Sequence, residues 1–302
     1  MKRKLLSWIS AVIGFAILGA GIYTYQVYAS VSKTLSKVNQ PLKRDASSKQ
    51  SEDMKQGAPI SILLMGADPR KEERGRSDSL MLITLNRTKQ SMKILSIPRD
   101  TYTEIVGKGV KDKINHSYAF GGVDTTVATV EKFLNVPVQY YIEVNMEGFK
   151  DIVNAVGGVD VNNDLDFTYE GIHFEKDTLH LNGEEALAYS RMRMLDSRGD
   201  FGRQMRQRQV IQSVIKNGTN IEILSNYGAI LDAIQKNVKT NLTQDEMFKI
   251  QQNYKETRNN IEEIEISGEG QMMGDTWYYI VSDEVRQELS KKLREQLELS
   301  AQ

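Results

Sequence analysis

The chain of 302 residues has a hydrophobic content of 40% and a charged content of 26%, both ordinary for a globular protein. This length allows one large domain or two smaller ones. The formal net charge of −1 gives no global basic field of the kind that binds nucleic acid, although it permits a local basic site. The absence of cysteine excludes a disulfide framework, cysteine-ligated zinc and a cysteine nucleophile.

The N-terminal region predicts a membrane anchor. Residues 5–29 form an uncharged run, preceded by the basic residues Lys2, Arg3 and Lys4. As a helix this run would extend about 38 Å, enough to cross a bilayer core of about 30 Å with some tilt. A cleaved signal peptide is the alternative, but its apolar core is shorter and ends in small residues, whereas this run ends in tyrosines. The basic residues place residues 1–4 in the cytoplasm and the rest outside the cell.

A polar segment at residues 30–58, rich in Ser, Lys and Gln, predicts a linker between the anchor and a folded domain at 59–302. Within that domain, short apolar runs predict strands, and segments with helical periodicity predict helices. The predicted strands are 60–66, 79–86, 91–98, 139–145 and 159–163, and the predicted helices are 123–135, 146–158, 200–218 and 282–299. Strands that alternate with helices after an early hairpin predict a single α/β domain, with a mixed central sheet flanked by helices.

A charged stretch, GADPRKEERGRSDSL at 66–80, follows the first apolar strand. Asp68 and Asp78 lie at the two ends of the loop at 67–78, so antiparallel pairing of 60–66 with 79–86 would bring their carboxylates close together. Two unshielded carboxylates repel each other, and a hard divalent cation such as Mg²⁺ relieves that repulsion. A solvated loop with surface ion pairs is the alternative, and the loop alone favours it.

Arginines at the ends of other elements shift the balance toward an anion site. Their positions are the end of a predicted strand (Arg99), a short segment expected to be extended (Arg191 and Arg193), and one helix face near its N-terminus (Arg203, Arg206 and Gln207). Guanidinium groups bind phosphate oxygens in a bidentate manner, and helix N-termini favour anions. Two aspartates, a divalent cation and an arginine clamp are what phosphoryl transfer requires.

Other candidate groups are fewer. His116 in DKINHSYAFGG (112–122) is expected in a loop before a helix, where a structural role and a role as a ligand or acid–base group are both open. No function is assigned to His173 or His180. The sequence has no GxxxxGK[ST], GxSxG or HExxH motif, so ATP binding, serine-hydrolase chemistry and zincin chemistry lack support.

Several motifs together resemble the LytR-CpsA-Psr family. They are GADPR…RSDSL, SIPRDTY, DKINHSYAFGG, LNGEEALAYSRMR and GDFGRQMRQRQVI, spread over most of 59–285. The resemblance implies an enzyme of Gram-positive envelopes that moves an anionic glycopolymer, with wall teichoic acid expected, from an undecaprenyl pyrophosphate carrier to peptidoglycan. The acceptor would be the C6 hydroxyl of N-acetylmuramic acid and the product a phosphodiester. Neither a nucleotide cofactor nor a nucleic acid partner is expected.

The resemblance also implies roles for individual residues. Asp68 and Asp78 match the positions that bind Mg²⁺, with Mn²⁺ as the alternative ion, and together with Arg76 and Arg99 they form the expected catalytic set. The positions that hold the pyrophosphate correspond to Arg76, Arg99, Arg191, Arg193, Arg203 and Gln207, with Arg70 nearby. The lipid tail of the family's substrate lies in an apolar tunnel, for which the Val- and Phe-rich segments at 127–156 are candidates.

Two other functions would use the same features. A hydrolase would pass the same phosphorus to water with the same cation and arginines. A binding or regulatory module, such as a transcriptional attenuator, would need no catalysis, but the predicted location outside the cell and the lack of a DNA-binding motif count against direct DNA contact. The overall expectation is a single-pass type II membrane protein with an extracellular catalytic domain.

Overall fold

The structure of the protein, a computed structural model, describes residues 29–43 except 31 and 35, and residues 57–68, 75–217 and 234–300, with Asp68 described by its backbone only. The strands are β1 (Ile60–Asp68), β2 (Arg76–Asn86), β3 (Ser91–Ile97), β4 (Tyr102–Ile105), β5 (Val110–Lys113), β6 (Tyr140–Val144), β7 (Val159–Asn162), β8 (Phe167–Tyr169), β9 (Ile172–Phe174), β10 (Thr178–Leu181), β11 (Val238–Thr240), β12 (Ile261–Ile264), β13 (Glu269–Met273) and β14 (Thr276–Ile280). The helices are α1 (His116–Leu134), α2 (Met146–Ala155), α3 (Gly183–Arg191), α4 (Asp200–Asn217), α5 (Gln244–Asn253) and α6 (Asp283–Gln296), with a 3₁₀-helix at Lys255–Asn259.

Within these described ranges, the largest sheet has six strands in the order β11-β6-β1-β2-β3-β12. The pairs β1–β2 and β2–β3 are antiparallel, as the predicted early hairpin requires. β6 joins β1 and β12 joins β3 in parallel, while β11 joins β6 antiparallel. The sheet is therefore mixed, and the predicted α/β fold with a central sheet flanked by helices is confirmed.

Alternate residues of the central strands face opposite sides of the sheet, which gives two apolar layers. On one side, Leu63 and Leu82 pack with Phe133 of α1 and Leu293 of α6. On the other side, Ile62 and its cross-strand partner Ile83 face the helices α4 and α5. Residues that alternate along the central strands therefore form the apolar layers on both faces of the sheet.

The ends of several elements differ from the predictions. β2 begins at Arg76 instead of 79, so Asp78 lies within the strand, at a bulge opposite Gly66 and Ala67. The ladder of backbone hydrogen bonds continues past the apolar residues, and the apolar pattern alone cannot show that. α1 begins at His116, which was predicted in a loop, and bends at Gly122, whose φ of 68° suits glycine.

The N-terminal segments are described in part. The predicted anchor at 5–29 lies outside the described residues except for its last position, and none of the helices in the described ranges is long and apolar enough to cross a membrane. Within the predicted linker, Gln40 donates its backbone N–H to Thr240 O at 2.7 Å, and Tyr141 Oη donates to Gln40 O at 2.8 Å. This part of the linker therefore contacts the edge of the sheet, while the domain limits stay predictions.

A buried ion pair attaches the loop after α3 to α4. Arg206 is fully buried and donates from Nη1 to Asp196 Oδ2 at 2.7 Å and from Nη2 to Met192 O at 2.7 Å. Arg206 was expected on the same helix face as Arg203, but its guanidinium points into the protein and holds the loop that carries Arg193. The helical spacing therefore places Arg203 correctly, on the face of α4 that lines the cavity described below, but not Arg206.

Breaking this ion pair should destabilise the domain. We expect Asp196→Ala to lower the free energy of unfolding by about 3–5 kcal/mol at neutral pH, because it leaves the Arg206 charge buried and unpaired. The reference is Glu288→Ala, which removes an exposed i,i+4 pair with Lys292 and should cost less than about 0.5 kcal/mol. Chemical denaturation of both variants checks this, and equal losses would contradict it.

The loss of stability in Asp196→Ala should also depend on pH. Burial raises the pKa of the Asp196 carboxyl, but hydrogen bonds from Arg198 and Arg206 outweigh it and hold the pKa below its ordinary value. The stabilisation is therefore complete above the unfolded-state pKa of about 3.9 and declines as the pH falls below it. The difference between the wild type and Asp196→Ala should accordingly shrink below about pH 4.

Candidate active site

Asp78 lies at the centre of the charged residues at one end of the sheet. Its Oδ1 accepts hydrogen bonds from Arg99 Nη1 at 3.0 Å and from Asn115 Nδ2 at 3.2 Å. Its backbone carbonyl accepts from Arg203 Nη2 at 3.2 Å. The Asp78 side chain remains 42% exposed, so the carboxylate is held in place and can still reach a ligand.

The chain after β3 explains this convergence. A turn at Pro98 closes with the Thr101 backbone N–H on the Pro98 carbonyl at 3.0 Å, which directs Arg99 toward Asp78. The Asn115 backbone N–H then donates to the Arg99 carbonyl at 3.2 Å, so the start of α1 lies beside the same turn. Arg99 and Asn115 thus approach the bulge of β2 on one short, internally hydrogen-bonded segment.

Three arginines share this small region. Burial lowers the pKa of Arg99, but the nearby carboxylates, with Asp78 the strongest, raise it above its ordinary value. Burial also lowers the pKa of Arg203, and the charges of Arg99 and Arg193 act in the same direction. Guanidinium groups remain protonated at neutral pH, so these cations stay charged close to one another. A bound anion would reduce the repulsion among these neighbouring cations.

Some polar atoms of this cluster lack a hydrogen-bond partner. Within the described part of the chain, Arg99 Nε, Arg203 Nε and Asn115 Oδ1 are buried and have no hydrogen-bond partner. Arg99 Nε lies 3.6 Å from Asp100 Oδ2, which is too long for a hydrogen bond. Buried polar groups are normally hydrogen-bonded, so the polar contacts within this cluster are incomplete.

A cavity of about 750 Å³ extends from these charges between the sheet and α2, α4 and α5. At the charged end it is lined by Asp78, Ser79, Arg99, Arg191, Arg203 and Gln207. Farther in, its walls are apolar, for example Ile62 and Ile83 of the sheet and Ile211 of α4, and its other end reaches Arg258. The cavity therefore suits a ligand with an anionic head and a long apolar tail.

Only part of the segment proposed to line a tunnel does so. Phe149, Ile152 and Val153 of α2 border the cavity. Val127 and Val130 of α1 instead pack on the opposite face of the sheet. The two parts of this apolar segment serve different layers of the fold.

The remaining predicted residues have different surroundings. Gln207 accepts from Ser79 Oγ at 3.1 Å and donates to Ser190 O at 3.3 Å. Arg191 ends α3, not an extended segment, and pairs with Glu170 at 3.0 Å. Arg193 lies beyond that helix end, within electrostatic reach of Arg203.

The first part of the charged stretch is described less fully. Arg76 is exposed at the start of β2, where it is the register partner of Asp68. The side chain of Asp68 and all of Arg70 lie outside the described residues. Their predicted roles stay predictions.

The backbone positions of Asp68 and Asp78 are compatible with a divalent cation between them. The register places Asp68 on the strand beside the bulge that holds Asp78, so the two aspartates lie on neighbouring strands at the mouth of the cavity. Among the described side chains, no group of three or more acidic, histidine or cysteine residues could hold a metal ion. Mg²⁺ does not need such a group, because it binds through one or two carboxylates together with substrate phosphates and water.

Two acidic residues of the site were not predicted. Asp100 contacts Arg99 and accepts Lys113 Nζ at 2.7 Å, and Asp200 pairs with Arg203 at 2.7 Å. Asp100 directly follows the predicted site residue Arg99, and Asp200 begins the predicted helix 200–218. These neighbours in the sequence were the only indication that the two aspartates belong to the site. His116 bonds Asp112 through Nδ1 at 2.7 Å, and this contact favours its structural role.

The comparisons with known proteins agree with one another. The model of the LytR_cpsA_psr family matches residues 25–295. A Bacillus mycoides protein, the polyisoprenyl-teichoic acid–peptidoglycan teichoic acid transferase TagU, is 64% identical over 99% of this chain and 100% of its own length. The crystal structure of B. subtilis TagU is 46% identical with a TM-score of 0.65, covering 81% of this chain and 99% of that one. A structure of TagT bound to LIIa-WTA is 31% identical with a TM-score of 0.70, covering 86% and 97%.

The charged end of the cavity should bind a condensed phosphate. We expect Arg203→Ala to weaken the binding of inorganic pyrophosphate about 10- to 100-fold, because it removes charge-assisted hydrogen bonds from a partly desolvated site. Arg258→Ala is the matched control, since Arg258 lines the opposite end of the same cavity. Titration calorimetry on the full-length protein measures both, and equal affinities in the two variants would contradict the assignment.

Proposed function

Since the chain belongs to the LytR-CpsA-Psr family, we propose that it transfers wall teichoic acid from an undecaprenyl pyrophosphate carrier to peptidoglycan. The acceptor is the C6 hydroxyl of N-acetylmuramic acid, and the product is a phosphodiester. One observation carries the proposal: a cluster of arginines and a long apolar interior belong to one continuous cavity. The names of its relatives support the same reaction.

The donor is amphiphilic, and the cavity is amphiphilic in the same order. The pyrophosphate would lie against Arg99 and Arg203, whose guanidinium groups line the charged end of the cavity. The polyprenyl tail would run between the sheet and α4, along Ile83 and Ile211. Burial of the tail supplies binding energy far from the reacting phosphorus, which fixes the head group in position.

In the transfer step, the muramic hydroxyl oxygen forms a bond to the phosphorus that carries the polymer sugar. The bond from that phosphorus to the bridging oxygen breaks, and undecaprenyl phosphate leaves with the electron pair. Arg99 and Arg203 neutralise the negative charge that grows on this leaving group. The hydroxyl proton must pass to a base, for which Asp78 and Asp68 are the candidates. The pyrophosphate supplies the driving force, so no nucleotide takes part.

We further propose that Asp68 and Asp78 hold Mg²⁺, with Mn²⁺ as the alternative. The strand register and the partial exposure of the Asp78 carboxylate support this. When bound, the ion would neutralise phosphate charge and polarise the phosphoryl group.

The finer localisation belongs to the same proposal. Residues 5–29 anchor the chain in the cell membrane as a single-pass type II protein, with the catalytic domain outside. This arrangement suits a donor that is itself confined to the membrane. The uncharged run and the basic residues before it support the anchor.

Loss of the ion pair between Asp78 and Arg99 should slow transfer strongly. We expect Asp78→Asn and Arg99→Ala each to lower kcat/KM about 10²- to 10³-fold. Arg99→Ala removes a cation at the reacting phosphate, and Asp78→Asn removes the carboxylate that orients Arg99 and is proposed to hold the divalent cation. Asp283→Asn, at an exposed position on α6, is the control. The assay follows lipid-linked polymer and peptidoglycan fragments with the full-length enzyme.

The same assay decides between the alternatives. Polymer on the glycan supports transfer, whereas free phosphorylated polymer alone supports a hydrolase. In cells, rescue of wall polymer attachment by Asp78→Asn would argue for a regulatory protein without catalysis.

The apolar part of the cavity should be needed for the lipid alone. We expect Ile211→Lys to weaken the binding of a polyprenyl pyrophosphate by about tenfold or more, because a charge in this wall is poorly solvated. Binding of inorganic pyrophosphate should be unchanged. Ile172→Lys is the control, since Ile172 is also half-buried but packs outside the cavity. If Ile211→Lys bound the lipid as well as the wild type, the tail would lie elsewhere.

A further inference from the structure

Three aromatic residues form a surface beside the candidate site, and we call Phe201, Trp277 and Tyr279 the aromatic platform. The Trp277 and Tyr279 rings are 6.4 Å apart with an interplanar angle of 28°, and the Phe201 ring meets Tyr279 edge-on at 5.5 Å. Tyr279 is buried, but Trp277 is 40% and Phe201 37% exposed. Adjacent, partly exposed aromatic side chains are a common feature of binding surfaces.

The platform is continuous with the charged residues. The Tyr279 backbone N–H donates to Asp100 O at 2.9 Å, directly after Arg99. Phe201 directly follows Asp200, the ion-pair partner of Arg203. Of the described residues that line the cavity, none belongs to the platform. The platform therefore borders the charged end on a side that the donor tail does not occupy.

The position of the indole is set by the opposite strand. Trp277 of β14 lies over Gly270 of β13, where a Cβ would come within 2.8 Å of the indole Nε1. Glycine at this position lets the ring lie against the backbone. The ring is thus supported from beneath and presents its outer side to solvent, as a rigid binding surface requires.

The chemistry of this surface fits a sugar ring. A pyranose has one face of C–H groups that packs on an aromatic ring, while its hydroxyls stay free for polar contacts. The segment 266–276 carries the exposed carboxylates of Glu269 and Asp275 and has no lysine or arginine, whereas Glu265 just before it is paired with Arg208. These charges repel a polymer of phosphodiesters and leave an amino-sugar chain as the suitable occupant.

We propose that the aromatic platform binds a sugar ring of the peptidoglycan glycan strand and so holds the acceptor hydroxyl beside Asp78 and Arg99. This inference rests on the proposed function and adds the acceptor subsite to it. The donor enters through the cavity, and the acceptor arrives over Trp277 from the solvent side. The two substrates meet at the arginine cluster without competing for one surface.

Kinetics with varied acceptor test the platform. Trp277→Ala should raise the KM for soluble glycan fragments about 3- to 10-fold, with kcat and the KM for the lipid-linked donor unchanged. Trp277→Phe should restore most of the affinity. Gly270→Val should raise the same KM while keeping the tryptophan, because the added side chain displaces the indole. Phe248→Ala, at an aromatic residue of α5 that is 56% exposed, is the matched control and should change nothing.

Fluorescence tests binding separately from catalysis. The chain has two tryptophans, Trp8 and Trp277, so Trp8→Phe leaves Trp277 as the single indole reporter. Full-length Trp8→Phe protein in detergent should show a saturable blue shift with soluble glycan fragments and none with free teichoic acid polymer. No shift with the glycan, a shift with the polymer, or an unchanged acceptor KM in Trp277→Ala would overturn the inference. A glycan-dependent shift in an enzyme that only hydrolyses the donor would count against the proposed transfer and not against the platform.

Discussion

Asp78 and Arg99 lie 3.0 Å apart at the end of the central sheet, and most of the site is organised around their contact. The bulge in β2 turns the aspartate toward the end of β3, where the Pro98 turn presents the arginine. Asn115, the residue before α1, and Arg203 of α4 then bind the side chain and the carbonyl of Asp78. A carboxylate fixed in this way keeps several cations in one place before any phosphate binds, which is the preorganisation that phosphoryl transfer needs.

The Asp78–Arg99 pair lies where the layers of the fold leave a cavity open. One face of the sheet is closed by α1 and α6, whereas the other faces a cavity under α2, α4 and α5. The charged cluster thus stands at the mouth of an apolar space and not on an open surface. Its second border is the aromatic platform on β14 and α4. Lipid, phosphate and sugar each have a surface of matching chemistry around one carboxylate.

The sequence predicted those parts of this arrangement that depend on local pattern. The apolar runs predicted β1 and β3 nearly in full. The charged stretch pointed to Asp78, although this residue lies within β2 and not at a loop end. The spacing of α4 placed Arg203 and Gln207 together, but it could not separate them from Arg206, whose partner Asp196 is contributed by a loop folding back on the helix. The site also depends on contacts between residues far apart in the sequence, such as the hydrogen bond from the Tyr279 backbone N–H to Asp100 O. A local hydrophobic pattern cannot predict such contacts.

The central claim is that one cavity holds the donor's pyrophosphate and its tail together. A crystal structure of the protein with a polyprenyl pyrophosphate tests it most directly. We expect phosphate oxygens within hydrogen-bond distance of Arg99 and Arg203, and the tail between β2 and α4 along Ile83 and Ile211. A head group bound away from Asp78, or a tail lying outside this cavity, would contradict it.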